Sequence, residues 1–217
     1  LKVLTLLQDQ FLNFFKASEL SNHFYFTGGT ALSAFYLEHR YSYDLDFFTA
    51  KRDALNLEAI LKFLNSLPGL SQTRYEKIYD RRLFFLHFSA GVLKVEFTFY
   101  PFKQIAKPKV VEGLVVDSLE DIFVNKLCAL CDRNEDKDLI DVYFILKHKG
   151  LSYLLWGVKK IKEKFGIDGA EYVIQRRLIT VPKELDNLPY LIKPISGYRD
   201  FLKKAVVMLA KEYWDLD

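Results

Sequence analysis

Cysteine and histidine are scarce, two and four residues in a chain of 217. Two thiols cannot build a disulfide framework. Cys128-Ala-Leu-Cys131 lies inside an apolar pattern of helical spacing, whereas a thioredoxin-like pair follows a strand and structural zinc takes four ligands. His23, His39, His87 and His148 are scattered and complete no such set. The cysteines therefore read as buried structural thiols, with a redox or zinc role as the weaker alternative. Long apolar runs are lacking too: none approaches the ~18 residues that span a bilayer, and Leu139 to Leu146 is already interrupted by Asp141. No membrane association is expected. Leu1 to Phe15 carries Lys2 and Asp9 and no small-residue cleavage site, so it reads as an amphipathic helix, not a signal peptide, and a cytoplasmic location is expected. The chain opens on Leu1 and not on Met, which leaves room for natural residues upstream. A dominant charge sign is missing as well, with 31 Lys plus Arg against 28 Asp plus Glu, net +3.

Apolar and aromatic residues are plentiful. Half the chain is hydrophobic and 16% is aromatic, with 19 Phe and 13 Tyr, enough to bury a core and to exclude disorder. The length suits one large domain or two small ones. Charge is unevenly spread: Asp117 to Asp141 holds eight acids and three bases, and Lys147 to Lys164 holds six Lys and one Glu. The lysine segment reads as a solvated helix face, with a polyanion-binding surface as the alternative.

Local patterns give the architecture. Phe24 to Phe26 predicts a short strand ending at Thr27-Gly28-Gly29, followed by helical spacing of Ala31, Leu32, Phe35 and Tyr36. Asp44 to Phe48 alternates with period two and predicts a second strand. Asp53 to Leu67 predicts a helix stopped by Pro68-Gly69, and Arg82 to Phe88 with Val92 to Tyr100 predicts a hairpin around Ser89-Ala90-Gly91. Beyond Pro101 and Pro108 the pattern reads as helical throughout. Ser118 and Asp121 resemble a capping box, and helices are predicted from there to about Leu130, then over 136–147, 152–165, 170–180 and 198–213. The fold class is therefore α+β: a small mixed sheet with flanking helices over 1–115, then a helical domain over 116–217.

The stretch that carries chemistry runs from Thr27-Gly28-Gly29-Thr30 through Arg40-x-Ser42-x-Asp44-x-Asp46. Side chains two apart on a strand share a face about 6.7 Å apart, so Asp44 and Asp46 stand side by side while Leu45 and Phe47 face the core. Two such charges repel by roughly 2.5 kcal/mol at an effective dielectric of 20, so a compensating cation is expected. Mg²⁺ fits, since it binds through one or two carboxylates plus substrate phosphates. On the predicted strand Val92 to Tyr100, Lys94, Glu96 and Thr98 share the polar face, and Glu96 is positioned to be a third carboxylate. Three acids suit a two-metal site in which one ion activates a hydroxyl and the other holds a triphosphate. Gly28 and Gly29 let backbone amides approach phosphate at a helix N-terminus, and Thr30 adds a hydroxyl. Taken singly, a Gly-Gly turn or a D-x-D strand is ordinary; the two within 19 residues match what nucleotidyl transfer requires.

A second cluster comprises Lys126, Arg133, Lys137, Asp138 and Asp141. Asp138 and Asp141 share a face of a helix that is otherwise apolar, and buried carboxylates need partners. Lys126 and Arg133 could supply them as a structural salt-bridge network or reach a triphosphate, and both readings stand here.

Phe26-Thr27-Gly28-Gly29-Thr30-Ala31-Leu32, His39-Arg40-x-Ser42-x-Asp44-Leu45-Asp46-Phe47-Phe48, and Lys126-x-x-Ala129-Leu130-x-x-Arg133 with Lys137-Asp138-x-x-Asp141-x-Tyr143 together resemble the AbiEii/AbiGii toxin family of nucleotidyltransferases, relatives of the DNA polymerase beta superfamily. The resemblance implies a polymerase beta-like nucleotidyltransferase fold and an enzyme that moves a nucleoside monophosphate from a nucleoside triphosphate to an acceptor, with Mg²⁺ or Mn²⁺ as cofactor. It implies the toxin half of a type IV toxin–antitoxin (abortive infection) system, a cognate antitoxin encoded nearby, and an acceptor such as the tRNA 3′ end or a protein. Carried onto this chain, Asp44, Asp46 and Glu96 would be metal ligands. Gly28, Gly29, Thr30, Arg40, Ser42, Lys126 and Arg133 would bind nucleotide, and Asp138 or Asp141 would assist near the nucleophile or anchor Lys126. The superfamily usually has Gly-Ser where this chain has Gly28-Gly29, which leaves Thr30 to supply the hydroxyl. The competing readings are a metal-dependent nuclease on the same acids, which would have no use for a triphosphate seat, and a noncatalytic nucleotide- or RNA-binding module of the same fold.

Overall fold

A computed structural model describes residues 3–182 and 184–214. Leu1 and Lys2, which open the expected N-terminal helix, lie outside the described residues. The chain divides after Ser118 into two compact units.

The first unit is built on a seven-stranded sheet. Its elements are α1 (Leu6–Lys16), β1 (Tyr25–Thr27), α2 (Gly28–Leu32) continued by a π-helical turn (Ser33–Leu37), β2 (Leu45–Thr49), α3 (Leu57–Asn65), β3 (Leu70–Ile78), β4 (Arg81–Phe88), β5 (Gly91–Phe99), β6 (Lys109–Val111) and β7 (Leu114–Val116). The strands lie in the order β3-β4-β5-β2-β1-β7-β6. β2 pairs with β5 in parallel and with β1 antiparallel, and the register sets Asp46 opposite both Glu96 and Thr27. Period two then sorts the sheet into two faces. Phe47 and Phe97 go to one side, where Phe11 and Phe15 of α1 pack on Phe47 at ring-centroid distances of 5.9 and 4.2 Å. Asp46 and Glu96 are left on the other. Helix α1 is held at its start by a capping box, Thr5 with Gln8. The same fully buried Gln8 donates through Nε2 to the Ser42 carbonyl at 2.8 Å, tying α1 to the segment that leads into β2.

Three segments differ from the sequence expectation. The stretch after Pro108 is not helical: β6 and β7 form a hairpin turning on Glu112 and Gly113, both at positive φ (50° and 85°), the backbone of a tight two-residue turn. β3 was not expected because Ser71, Gln72, Arg74, Glu76 and Lys77 give it almost no apolar alternation; it lies at the sheet edge with one neighbour. The helix expected over 53–67 is split. A 3₁₀ turn covers Arg52–Leu55, and Asn56 then caps α3 by accepting from the Ala59 amide at 3.0 Å.

The second unit is helical: α4 (Leu119–Asp132), α5 (Asp136–Lys149), α6 (Tyr153–Phe165), α7 (Ala170–Ile179) and α8 (Tyr198–Trp214). α4 is central, packed by α5, α6 and α7, and α8 packs on α7. Ile122, Phe123, Leu127 and Leu130 of α4 are buried, as are Leu139, Ile140, Val142, Ile145 and Leu146 of α5. The lysines of α6 find acids within this unit. Lys164 is buried on Asp121 at 2.7 Å, and Lys159, Lys160 and Lys162 meet Glu212, Glu163 and Asp168. Among the described residues no helix is long and apolar enough to cross a membrane.

Candidate active site

The glycine turn joins β1 directly to α2. Gly28 has φ +76°, a conformation that favours glycine. A Cβ there would overlap Oδ2 of Asp46 and approach its Cγ to 3.0 Å. Gly29 is as tightly placed, since its Cβ would overlap Nη2 of Arg40 and lie 3.0 Å from Oγ of Ser42. The two glycines thus let the turn lie flush against Asp46 on one side and against Arg40 and Ser42 on the other. Arg40 is buried, and its Nη1 donates to the Tyr41 carbonyl at 3.0 Å. Thr30 is buried as well, and its hydroxyl donates to the Asp44 carbonyl at 2.5 Å. That hydroxyl fastens the turn to the entrance of β2.

Below the turn, Thr27 donates its hydroxyl to Oδ2 of Asp117 at 2.8 Å. Asp117 is fully buried, and its other oxygen accepts from the Ser118 amide (3.1 Å) and from Nε2 of Gln104 (3.3 Å). This anchor was not foreseen. Only the pairing of β1 with β7 brings residues 27 and 117 together.

The acids have company. Lys94 donates to Oδ2 of Asp44 at 2.7 Å. Arg81 donates from Nε to Oε1 of Glu96 at 2.5 Å and from Nη2 to Oε2 at 2.6 Å, and the Thr98 hydroxyl adds a bond to Oε1 at 2.8 Å. Burial pulls the Lys94 ammonium towards lower pKa. The hydrogen bond and charge of Asp44, with Asp46 and Glu96 behind it, overcome that and raise it above its ordinary value. Glu96 does stand beside Asp46, in register and buried, but both its oxygens are engaged. Among the described residues no group of three or more His, Cys, Asp or Glu is arranged to hold a metal, so the expected trio is not assembled as three open carboxylates. The physical reason is the side-by-side placement of β4 and β5, which brings the Arg81 fork onto Glu96, a bidentate match of planar groups. Lys94 could have been found in the sequence, since it shares the period-two face with Glu96. Arg81 gave no such signal.

The donor set still suits one hard divalent ion. Asp44 and Asp46 are half-buried carboxylates beside the glycine turn, and such an ion needs only one or two carboxylates when phosphate oxygens complete its shell.

In the second unit the expected cluster forms an ionic network, buried at Lys126, Asp138 and Asp141 and half-exposed at Arg133. Lys126 of α4 is buried between Oδ1 of Asp138 (2.8 Å) and Oδ2 of Asp141 (2.7 Å), both fully buried on α5. Arg133 donates from Nε to Oδ2 of Asp138 at 2.7 Å and from Nη2 to Oδ1 at 3.2 Å. Burial alone would raise the Asp138 carboxyl, but the charges and hydrogen bonds of Lys126 and Arg133 hold it below its ordinary value. Lys137 joins this network only at its exposed edge, through Glu135, which lies 2.7 Å from Lys137 and 3.5 Å from Arg133. Cys128 and Cys131 form no disulfide and are half-buried on α4, and burial pushes the Cys131 thiol up to about 11. A thiol so protonated at neutral pH suits a structural place better than a redox one.

Comparison with known proteins places this geometry. A solved structure titled "putative nucleotidyltransferase" from H. pylori superposes with a TM-score of 0.61 at 20% identity, covering 97% of this chain and 95% of that one. A second, JHP933 from Helicobacter pylori, does so with a TM-score of 0.59 at 20% identity, covering 95% and 90%. The likeness establishes the nucleotidyltransferase fold that the sequence motifs resemble. An uncharacterized protein of Aquifex aeolicus (strain VF5), aq_aa25, is 27% identical over 146 residues, 66% of this chain and 65% of that protein, so the match spans just under two thirds of that relative. The family model described as nucleotidyl transferase AbiEii toxin, type IV TA system, matches residues 10–216. A match over nearly the whole chain, with the glycine turn and paired aspartates inside it, means that the chain belongs to the AbiEii nucleotidyltransferase toxin family.

Proposed function

We propose that the protein transfers a nucleoside monophosphate from a nucleoside triphosphate to an acceptor hydroxyl, with Mg²⁺ or Mn²⁺ held by Asp44 and Asp46. The observation that carries this is the close seating of Gly28 and Gly29 against Asp46, Arg40 and Ser42. That seating supports a reading in which a polyphosphate would lie at the turn beside a carboxylate that would hold the metal. The backbone amides of the turn face the triphosphate, Arg40 and Thr30 keep the turn rigid, and Asp44 and Asp46 face the reacting phosphate. When bound, the divalent ion supplies charge neutralisation and lowers the pKa of the attacking hydroxyl. The acceptor oxygen bonds to the α-phosphorus, the bond to pyrophosphate breaks, and the hydroxyl proton is released. Family membership supports a toxic role with a cognate antitoxin encoded nearby, and the tRNA 3′ end or a protein is the proposed acceptor.

The test is transfer of label. Purified protein with Mg²⁺, each of the four α-labelled nucleoside triphosphates and total tRNA or total protein should label an acceptor, and Asp46→Asn should abolish labelling. No incorporation with any nucleotide, or equal incorporation by Asp46→Asn, would end this reading. One observation favours a second reading: the ion pairs of Asp44 with Lys94 and of Glu96 with Arg81 would also suit a noncatalytic module that has kept the fold. That module would show neither label transfer nor a thermal shift with nucleotide and metal.

A further inference from the structure

We propose that Arg74, stacked on Phe85, is a platform for a base near the 3′ end of a single-stranded RNA acceptor, and that this face of β3, β4 and β5 leads that end to the acids. This rests on the nucleotidyl-transfer reading and names the class of acceptor. Strand pairing sets Arg74 opposite Phe85 and Phe85 opposite Lys94, and Lys94 lies 2.7 Å from Oδ2 of Asp44. Residues directly opposite one another share a face of the sheet, so these four form a row from the sheet edge to the acids. Phe84, one residue from Phe85, takes the other face, where its ring meets Phe97. The Arg74 Cζ lies 3.8 Å from the Phe85 ring centroid, yet the arginine side chain stays 55% exposed. One side of the guanidinium thus rests on the ring and the other meets solvent. Glu76 accepts from Nη1 of Arg74, and because guanidinium N–H bonds lie in its plane, that pair engages the edge and leaves the flat face for stacking. Bases of any identity stack on such a surface.

Strand order says what would arrive there. β2 lies between β5 and β1, so the acids separate this row from the glycine turn that follows β1. A triphosphate at the turn and an acceptor on the row would reach the acids from opposite sides, the disposition that in-line displacement needs. Neighbouring strands are about 4.8 Å apart, which puts Phe85 roughly 10 Å from Asp44 and Arg74 farther out. The stacked base therefore belongs to a nucleotide near the reacting end, not to the one that reacts. Charge suits a phosphate chain as well. On this face β3, β4 and β5 carry Arg74, Arg81 and Lys94 against Glu76 and Glu96, one net positive charge, while Asp44 and Asp46 stand at the inner end. A serine or threonine acceptor would offer neither a flat face to the platform nor an anion to these bases.

The experiment is fluorescence anisotropy with a labelled single-stranded oligoribonucleotide, for the wild type, Arg74→Ala, Arg74→Lys and Lys77→Ala. Lys77 is an exposed cation of the same strand on the opposite face. Both Arg74 variants should bind roughly 5- to 150-fold more weakly, the loss of one stacked base. Lysine keeps a cation beside Glu76 but not the plane, so its loss reports stacking and not charge. Lys77→Ala should bind as the wild type does, and thermal melts by circular dichroism check that each variant is folded. In label transfer to total tRNA, the Arg74 variants should raise KM for tRNA by the same factor and leave KM for the nucleoside triphosphate unchanged. Wild-type affinity in Arg74→Lys, a loss in Arg74→Ala no larger than in Lys77→Ala, or label on protein with no RNA bound by the wild type would each overturn this inference and leave the transfer reading intact. RNA binding in the expected order without label transfer would remove the transfer reading and keep the surface.

Discussion

Gly28 and Asp46 compete for one volume: the Cβ that Gly28 lacks would overlap the Asp46 carboxylate. The turn and the acid are therefore a single fitted unit, and an added methyl must push Asp46 away from the phosphate seat. The backbone adds strain of its own, since Gly28 lies at φ +76°, where a residue with a side chain costs about 1–2 kcal/mol.

Gly28→Ala should consequently lose activity far out of proportion to stability. A misplacement of about 1 Å at a reacting group can cost on the order of 100-fold in rate, and that is the expected fall in label transfer. Gly69→Ala is the control, because Gly69 has nearly the same φ (+74°) and nothing within 4 Å of its added Cβ. Both variants should lose similar melting temperature, while only Gly28→Ala loses transfer. Equal transfer by the two would show that the close seating is not functional.

The network around Asp138 makes the helical unit sensitive to acid. Its carboxyl is held below the ordinary value when folded and returns to about 4 when unfolded. The stabilisation is therefore complete above about pH 4 and is lost as pH falls through the folded pKa. Asp138→Asn removes the charge and leaves Lys126 with Asp141 and the half-exposed Arg133 with Glu135, a loss of charged hydrogen bonds that typically costs about 1–3 kcal/mol. Urea unfolding from pH 7 down to pH 3 should show the variant much less stable at pH 7, with a gap to wild type that narrows towards acid. A gap independent of pH would mean that the Asp138 charge contributes nothing.

How much of this was legible in the sequence depended on the range of the interaction. The helices from α4 to α8 were readable because Ile122, Phe123, Leu127 and their like recur at 3.6 spacing. The glycine turn and the aspartate pair were readable because both lie within one short stretch. Polar β3 was missed for want of a hydrophobic period, and the short β6–β7 hairpin was hidden behind two prolines. The pairs Lys94–Asp44 and Arg81–Glu96 span 50 and 15 residues and depend on strand order and register, which composition and spacing do not encode. Glu96 therefore read as an open ligand when Arg81 closes it.

Gly157 sets the distance between α6 and α4. A Cβ there would come 2.5 Å from Cε1 of Phe123 and 2.6 Å from Cδ1 of Leu127, both fully buried. Helix propensity favours alanine over glycine by about 1 kcal/mol, while overpacking a filled core costs typically about 1–3 kcal/mol. The overlap is with two side chains at once, and neither has space to retreat, so the packing cost should dominate. Gly157→Ala is expected to lower the urea midpoint. The same substitution in a Phe123→Leu background should cost less, because the clashing ring is gone and the propensity gain remains. A double-mutant cycle measures that coupling directly. If the alanine is equally harmful in both backgrounds, contact with the Phe123 ring is not what selects glycine at this position.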